Sequence, residues 1–344
     1  MAKVAVVILN YNGEKFLRKF LSGVVEFSSG VGEVVVADNA STDTSISYLK
    51  ENFPSVRIVV NDDNGGYAKG YNDALKKIDA DYFVLLNSDI EIKDRWLEPL
   101  IELMDNNPDV GACQPKLLSW HEPDKFEYAG GAGGFIDRYG YPFCRGRIFM
   151  KLEEDNGQYD QKGASEIFWA TGACLMVRSE AFYEAGGFDD DFFAHMEEID
   201  LCWRMKHLGY KIMYVPNSRV FHIGGGTLPK ISARKTYLNF RNNSIVLIKN
   251  LPRWKLVKLI FIRLFLDGIA GLKFMMEGNF SHTLAVIRAH YYLYAHIGNL
   301  YKKRKRVKRS QKGVSCIYQG NIVFDHFLRK KNRFIQLNED LFTK

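Results

Sequence analysis

Short runs of Val, Ile and Leu alternate with longer amphipathic stretches over the first third of the chain. KVAVVILN at 3–10 predicts a strand and 14–27 a helix. EVVVAD at 33–38 predicts a second strand, followed by a helix over 44–52. VRIVV at 56–60 and YFVLLN at 82–87 predict two more strands, separated by a helix over 67–78. Strands that alternate with helices of this length predict an α/β, doubly wound, mostly parallel sheet. The opening apolar run meets Asn10 at once, so it reads as a first strand rather than a secretion signal.

The pattern then changes. Residues 114–164 are rich in Gly, Pro and Tyr and predict a long irregular connection. FWATGACLMVR at 168–178 is strand-like. FFAHMEEIDLCWRMKHLGY at 192–210 predicts a helix, with Ile199, Trp203 and Leu208 on one face and Gly209 as its C-terminal cap. RVFHIGGG at 219–226 predicts a late strand running into a glycine turn. Beyond about 234 the pattern is helical. The stretch 253–278 is strongly apolar, but Lys258, Arg263, Asp267 and Lys273 interrupt it. It reads as an amphipathic helix in a membrane interface or packed on the body, not as a spanning one.

The chain has 344 residues, 47% of them hydrophobic, enough for one large core or two modest domains. Five scattered cysteines without a C-x-x-C pair argue against a disulfide framework or zinc ribbon and fit a reducing compartment. The net charge of +7 conceals an asymmetry. Residues from 231 onward carry 23 Lys and Arg against 5 Asp and Glu, leaving the first 230 acidic. An acidic body suits metal or catalytic carboxylates, and a basic end suits an anionic surface.

In a doubly wound sheet, ligands bind beyond the carboxyl ends of the strands. Those ends carry Asn10 and Tyr11, Asp38 and Asn39, Asn64 and Gly66, and Asn87 to Asp89. Turn chemistry alone accounts for any one of them; four together predict a single crevice. Asp89 closes a buried-strand sequence with a carboxylate, which suits Mg²⁺ or Mn²⁺ when phosphate oxygens complete the coordination. Asp38 is placed to bind a base or ribose. The first strand–helix turn, NYNGEKF, lacks G-x-G-x-x-G, and no P-loop is present, so a dinucleotide fold is disfavoured. Glu197 and Glu198 are adjacent carboxylates suited to general-base work, or simply acids favoured by a helix's first turn. His222, at another strand end, is a candidate metal ligand.

These segments together resemble the bacterial family 2 glycosyltransferases of GT-A fold, in particular the rhamnosyltransferase-like branch. The resemblance covers roughly residues 3–250. It rests on VVILNYNG, VVVADNASTD, NGGYAKGYNDAL, VLLNSD, WATGACLMVRSEAF, GGFDDDFFAHMEEIDLCWR and VFHIGGGT, in that order. It implies that Asn10, Asp38, Asn39, Gly66, Lys69, Asn87 and Asp89 bind the donor. It also implies that Trp169, Thr171 and Gly172 line the acceptor side. Asp89 resembles the last residue of the family's D-x-D metal element and His222 a further metal ligand. Glu198 falls where the family has its catalytic Asp, beside Glu197, and NFRNN at 239–243 resembles the helix that follows. Two positions depart from the pattern: the D-x-D element is Asn87-Ser88-Asp89, and the base is Glu rather than Asp.

The resemblance implies inverting, metal-dependent sugar transfer from a nucleotide-diphosphate sugar, dTDP-rhamnose or a UDP-sugar, to a glycan or polyprenyl-diphosphate-linked acceptor. It implies a GT-A catalytic domain over 1–230, with nucleotide-sugar binding over about 1–113 and the acceptor and catalytic part over about 165–230. A helical region follows over 231–300 and a basic tail over 301–344. The basic, apolar C-terminal region predicts peripheral attachment to an anionic membrane surface on the cytoplasmic face. Specific nucleic-acid binding leaves the four polar strand ends unexplained. A nucleotidyltransferase needs a glycine- and arginine-rich loop after the first strand, which is missing. A non-catalytic nucleotide-sugar or glycan-binding module on the same fold remains the alternative.

Overall fold

The computed structural model describes residues 2–224 and 232–344; the end of the VFHIGGGT segment and the 230/231 boundary lie outside them. The main sheet is built from β1 (Val4–Asn10), β2 (Glu33–Asp38), β3 (Arg57–Val60), β4 (Tyr82–Asn87), β5 (Ile90–Glu91) and β6 (Val110–Ser119). A smaller sheet follows, of β7 (Gly134–Asp137), β8 (Pro142–Cys144), β9 (Arg147–Ile148) and β10 (Lys151–Leu152). The chain then returns to the main sheet with β11 (Ser165–Ile167), β12 (Cys174–Arg178) and β13 (Lys211–His222). The main order is β11-β13-β6-β12-β4-β1-β2-β3, with β5 paired to β13. The β4-β1-β2-β3 half is parallel, and β12 is antiparallel to both β4 and β6.

Both faces of the parallel half are covered, so its strands are apolar throughout rather than alternating. In β1, Val4, Val6 and Ile8 pack on one side and Ala5 and Val7 on the other. Helices α1 (Glu14–Ser28), α2 (Ser45–Asn52) and α4 (Leu97–Asn106) cover the first side. Helix α3 (Gly66–Leu75), α5 (Ser179–Glu184) and α6 (Glu197–Leu208) cover the second. In α1 the buried positions Leu17, Phe20, Leu21 and Val24 recur at helical spacing, which fixes the face that packs. The doubly wound sheet read from the alternation is therefore present.

Two expectations change. The segment 114–164 is not one irregular connection: β6 runs to Ser119, and 134–152 forms the small sheet. The predicted helix over 192–210 begins only at Glu197, because Phe193, His195 and Met196 are left-handed, with φ of 61°, 71° and 74°. Gly209 does cap it, at φ 101°. The basic segment 301–344 is folded onto the body. After α7 (Ala233–Asn250), α8 (Arg253–Met276), α9 (Phe280–Ala295) and α10 (Ile297–Arg306), the strand β14 (Ile317–Tyr318) pairs in parallel with β7. Helix α11 (Ile322–Phe327) then follows, and Phe334 and Phe342 close on Phe135 with ring centroids 4.8 and 5.3 Å away. This partner for β7 lies about 180 residues along the chain, so no local pattern announces it.

Candidate active site

Register brings the polar strand ends to one edge. Asn10 stands opposite Asp38, and Leu9 opposite Asn87. Asp38 is fully buried. Its Oδ2 accepts from Asn10 Nδ2 at 2.9 Å and its Oδ1 accepts from the Ser41 amide at 2.8 Å. Asn39 is engaged in the same way: Nδ2 donates to the Gly66 carbonyl at 2.9 Å, and Oδ1 accepts from Asn61 at 2.8 Å. A Cβ on Gly70 would stand 2.5 Å from that Asn39 amide, so glycine is required there. Asn10, Asp38 and Asn39 thus hold the turns at 40–44 and 64–67 that rim the crevice. Lys69 stands on the same rim, paired with Asp63 at 2.6 Å and Asp73 at 2.9 Å, which push its ammonium pKa up.

On the other side of β1, the short β5 pairs with the end of β13, setting His222 opposite Ile90. This brings His222 Nε2 to 3.1 Å from Asp89 Oδ1. His222 Nδ1 faces Glu127 Oε1 at 3.3 Å. All three side chains are buried. Burial pulls the imidazole pKa down, but the charge of Glu127 and the contact with Asp89 outweigh it and hold it up at about 10. The site is built to keep a positive charge, proton or cation, between two carboxylates. Glu127 was not singled out from the sequence; it lies in the aperiodic 120–133 stretch.

Asp89 and His222 fit a divalent cation shared with a diphosphate. They supply one oxygen and one imidazole donor, in contact at the roughly 3 Å that separates neighbours around one small cation. Glu127, 3.3 Å from Nδ1, would favour the tautomer that leaves Nε2 free for a cation. Among the described residues no group of three or more His, Cys, Asp or Glu could hold a metal ion alone. A cation held by Asp89 and His222 would have to take its remaining ligands from a bound phosphate or water.

Between the two sides lies 169–173. The Asn87 amide donates to Ala173 O at 2.9 Å, and Tyr67 Oη donates to Gly172 O at 2.7 Å. Thr171 N donates to Gln114 at 3.0 Å, and its hydroxyl donates to Ala129 O, two residues from Glu127. Trp169 turns inward, its Nε1 donating to Phe135 O at 2.9 Å. Gly172 therefore reaches the crevice more directly than Trp169 does.

Glu197 and Glu198 open α6 beside Tyr67. The Tyr67 amide donates to Phe193 O at 2.6 Å, and a Cβ on Gly66 would stand 2.4 Å from that oxygen. The Tyr67 phenol pKa is pushed up by burial first, then by Tyr71, Glu197 and Glu198. Glu197 is only 4% exposed; burial and then the charge of Glu198 raise its carboxyl pKa well above the usual range. Burial raises that of Glu198 to about 7. Oε2 of each has no hydrogen-bond partner among the described residues. A like-charge pair with idle oxygens is costly for a fold and useful to a proton acceptor.

The left-handed turn that delivers this pair is held from α7. Asn242 Nδ2 lies 3.0, 2.9 and 2.7 Å from the carbonyls of Phe192, Ala194 and His195. Arg241 donates to the Asp191 and Phe192 carbonyls. The NFRNN segment therefore positions the acidic turn, a role its sequence alone did not state. A cavity of about 430 Å³ lies elsewhere, between 184–191 and α10. Lys249 and Lys303 in its wall are matched by Asp189 and Asp191.

The family model of Glycosyl transferase family 2 matches residues 5–184. An N-acetylglucosaminyl-diphospho-decaprenol L-rhamnosyltransferase of Mycobacterium tuberculosis is 26% identical over 235 residues, spanning 63% of this chain and 75% of that one. Rhamnosyltransferase WbbL of Escherichia coli K12 is 21% identical over 234 residues, spanning 64% and 83%. Among solved structures, GalNAc-T7 with UDP, GalNAc and Mn²⁺ superposes with a TM-score of 0.57 at 17% identity. The match covers 74% of this chain and 49% of that one. At that identity the likeness is one of fold.

Proposed function

The chain belongs to glycosyl transferase family 2, and from that premise we propose that it is an inverting, metal-dependent enzyme of glycan synthesis. It moves a sugar, dTDP-rhamnose being the first choice of donor, to a polyprenyl-diphosphate-linked acceptor at an anionic membrane surface. The observation that carries the reading is the Glu198 carboxyl: half-buried, raised to about 7, with an idle buried oxygen, beside Glu197 at the start of α6. A binding module has no use for so costly a group.

In this reading Asp89 and His222 hold the cation and Glu127 orients His222. A bound divalent cation supplies charge neutralisation on the departing diphosphate. The turns set by Asn10, Asp38 and Asn39, with Gly66, Lys69 and Asn87, seat the donor. Trp169, Thr171 and Gly172 shape the acceptor side. Glu198 accepts the proton of the attacking hydroxyl, while Glu197, more deeply buried and with its carboxyl pKa raised further, holds its own proton and leaves Glu198 as the acceptor of the pair. The acceptor oxygen bonds to the anomeric carbon as the bond to phosphate breaks, and that electron pair leaves with the nucleoside diphosphate. No covalent sugar–enzyme intermediate forms, so the anomeric configuration inverts.

The test is a panel of nucleotide sugars with a lipid-linked acceptor, reading product linkage by NMR. One donor giving an inverted product supports the reading. Retention of configuration rules it out. Two further outcomes follow from the geometry. Glu127→Gln is expected to raise the metal concentration needed for half-maximal rate by about 10- to 100-fold while the saturated rate stays near wild type; titration with Mn²⁺ measures this. Asn242→Ala is expected to lower kcat roughly 10- to 100-fold with little change in donor KM, because a misplaced acidic turn harms chemistry more than binding. Equal losses in both constants point instead to general loosening.

A further inference from the structure

Helix α8 is built inside out. Arg263 and Asp267, which interrupt its apolar sequence, are only 6% and 1% exposed. Asp267 pairs with Arg263 at 3.2 Å and with His290 of α9 at 3.2 Å, and the Arg263 guanidinium lies 4.0 Å over the Tyr141 ring. The charges face the body. The opposite stripe, Trp254, Val257, Phe261, Phe265, Ile269 and Leu272, is open to solvent at successive spacings of three and four. Phe261 and Phe265 are 69% and 70% exposed. Helix α9 packs beside it and continues the surface with Phe280, Leu284, Ile287 and Tyr291. Monomers in water rarely leave so large a contiguous apolar surface uncovered.

The charges around this face indicate what covers it. Residues 251–309 hold 13 Lys and Arg against 2 Asp and Glu; Arg263, Arg304 and Asp267 are buried, which leaves 11 cations against Glu277. Exposed Lys255 and Lys258 stand at one end of the stripe, Lys273 near the other, and Arg288 on α9. No exposed charge interrupts α8 between Lys258 and Lys273. Two copies joined through this face would oppose like charges, whereas an anionic bilayer matches both the apolar stripe and its cationic border. No helix among the described residues is long and apolar enough to cross a membrane.

We propose that the outward face of the α8–α9 pair lies in the interfacial layer of an anionic lipid bilayer, with Phe261 and Phe265 as its central anchors and the flanking Lys residues at the headgroups. The attachment surface is then this helical face rather than the 313–344 segment, which is folded against the small sheet. The inference rests on the lipid-linked acceptor reading for its purpose. Its test uses neither donor nor acceptor, so failure of one leaves the other standing.

The full chain is floated with vesicles of phosphatidylcholine alone and of phosphatidylcholine mixed equally with phosphatidylglycerol. Wild type is expected to rise with the anionic vesicles and to be released by salt. Phe261→Asn/Phe265→Asn is expected to partition at least about tenfold less, with an unchanged melting curve, because both side chains already face solvent. Lys255→Gln/Lys258→Gln is expected to lose the preference for anionic lipid. Wild type that stays unbound overturns the proposal, as does a double Phe variant that floats like wild type. A dimer in sedimentation that the Phe variant abolishes, without flotation, assigns the face to a second copy instead.

Discussion

Asp89→Ala is expected to lower sugar transfer by about three orders of magnitude, the several kcal/mol that a correctly held cation contributes. Asp89 supplies a carboxylate at the end of a buried strand and touches the other proposed metal ligand, His222, at 3.1 Å. A backbone contact of that strand end, the Ile223 amide donating to the Asp89 carbonyl at 3.1 Å, survives the substitution. The fold is therefore expected to persist, with a stability loss on the order of 3 kcal/mol, because the buried His222 loses one of its two carboxylate partners. Activity and a urea melt on the same preparation separate the two effects. Near-normal turnover in this variant removes the metal assignment.

Glu198→Gln keeps the shape of the side chain and removes its ability to accept a proton. Transfer is expected to fall by about 10²- to 10⁴-fold, with donor binding retained. In wild type the rate should drop about tenfold per pH unit below about 7, the value to which burial raises this carboxyl. Stability should move the opposite way. A carboxyl raised from 4.5 to about 7 favours the folded state when protonated. Its contribution is complete below 4.5 and is lost as pH rises through 7. The Gln variant should therefore be more stable than wild type above pH 7, on the order of 1 kcal/mol after allowing for partial solvent screening, and should converge with it in acid. A flat rate profile across pH 5–8 contradicts the assignment.

The polar strand-end edge was legible because parallel strands end at one edge. Once KVAVVILN, EVVVAD and YFVLLN were read as parallel strands of one sheet, Asn10, Asp38 and Asn87 had to end along one edge. The strand ends alone did not show that Asp38 and Asn39 are spent on Asn10, Ser41, Gly66 and Asn61, shaping turns rather than reaching outward. Glu127 was not readable at all. It reaches His222 only because β5 draws the end of β13 across and because 120–133 folds back on β6, and neither has a local periodicity. The start of α6 was misplaced because Asn242, nearly fifty residues on, stabilises left-handed residues that propensity disfavours. The face of α8 was ambiguous in the same way. Its period is plain in the sequence, but the inward turn of Arg263 and Asp267 depends on His290 and Tyr141, which are distant in the chain.

The most direct test of the account is nucleoside diphosphate release from the active nucleotide sugar, measured side by side for wild type, Asp89→Ala and Glu198→Gln, with Mn²⁺ and with EDTA. The account predicts acceptor-stimulated, metal-dependent release in wild type, abolished by EDTA and in both variants, while their melting curves remain cooperative. Release that continues unchanged in EDTA and in both variants would contradict it.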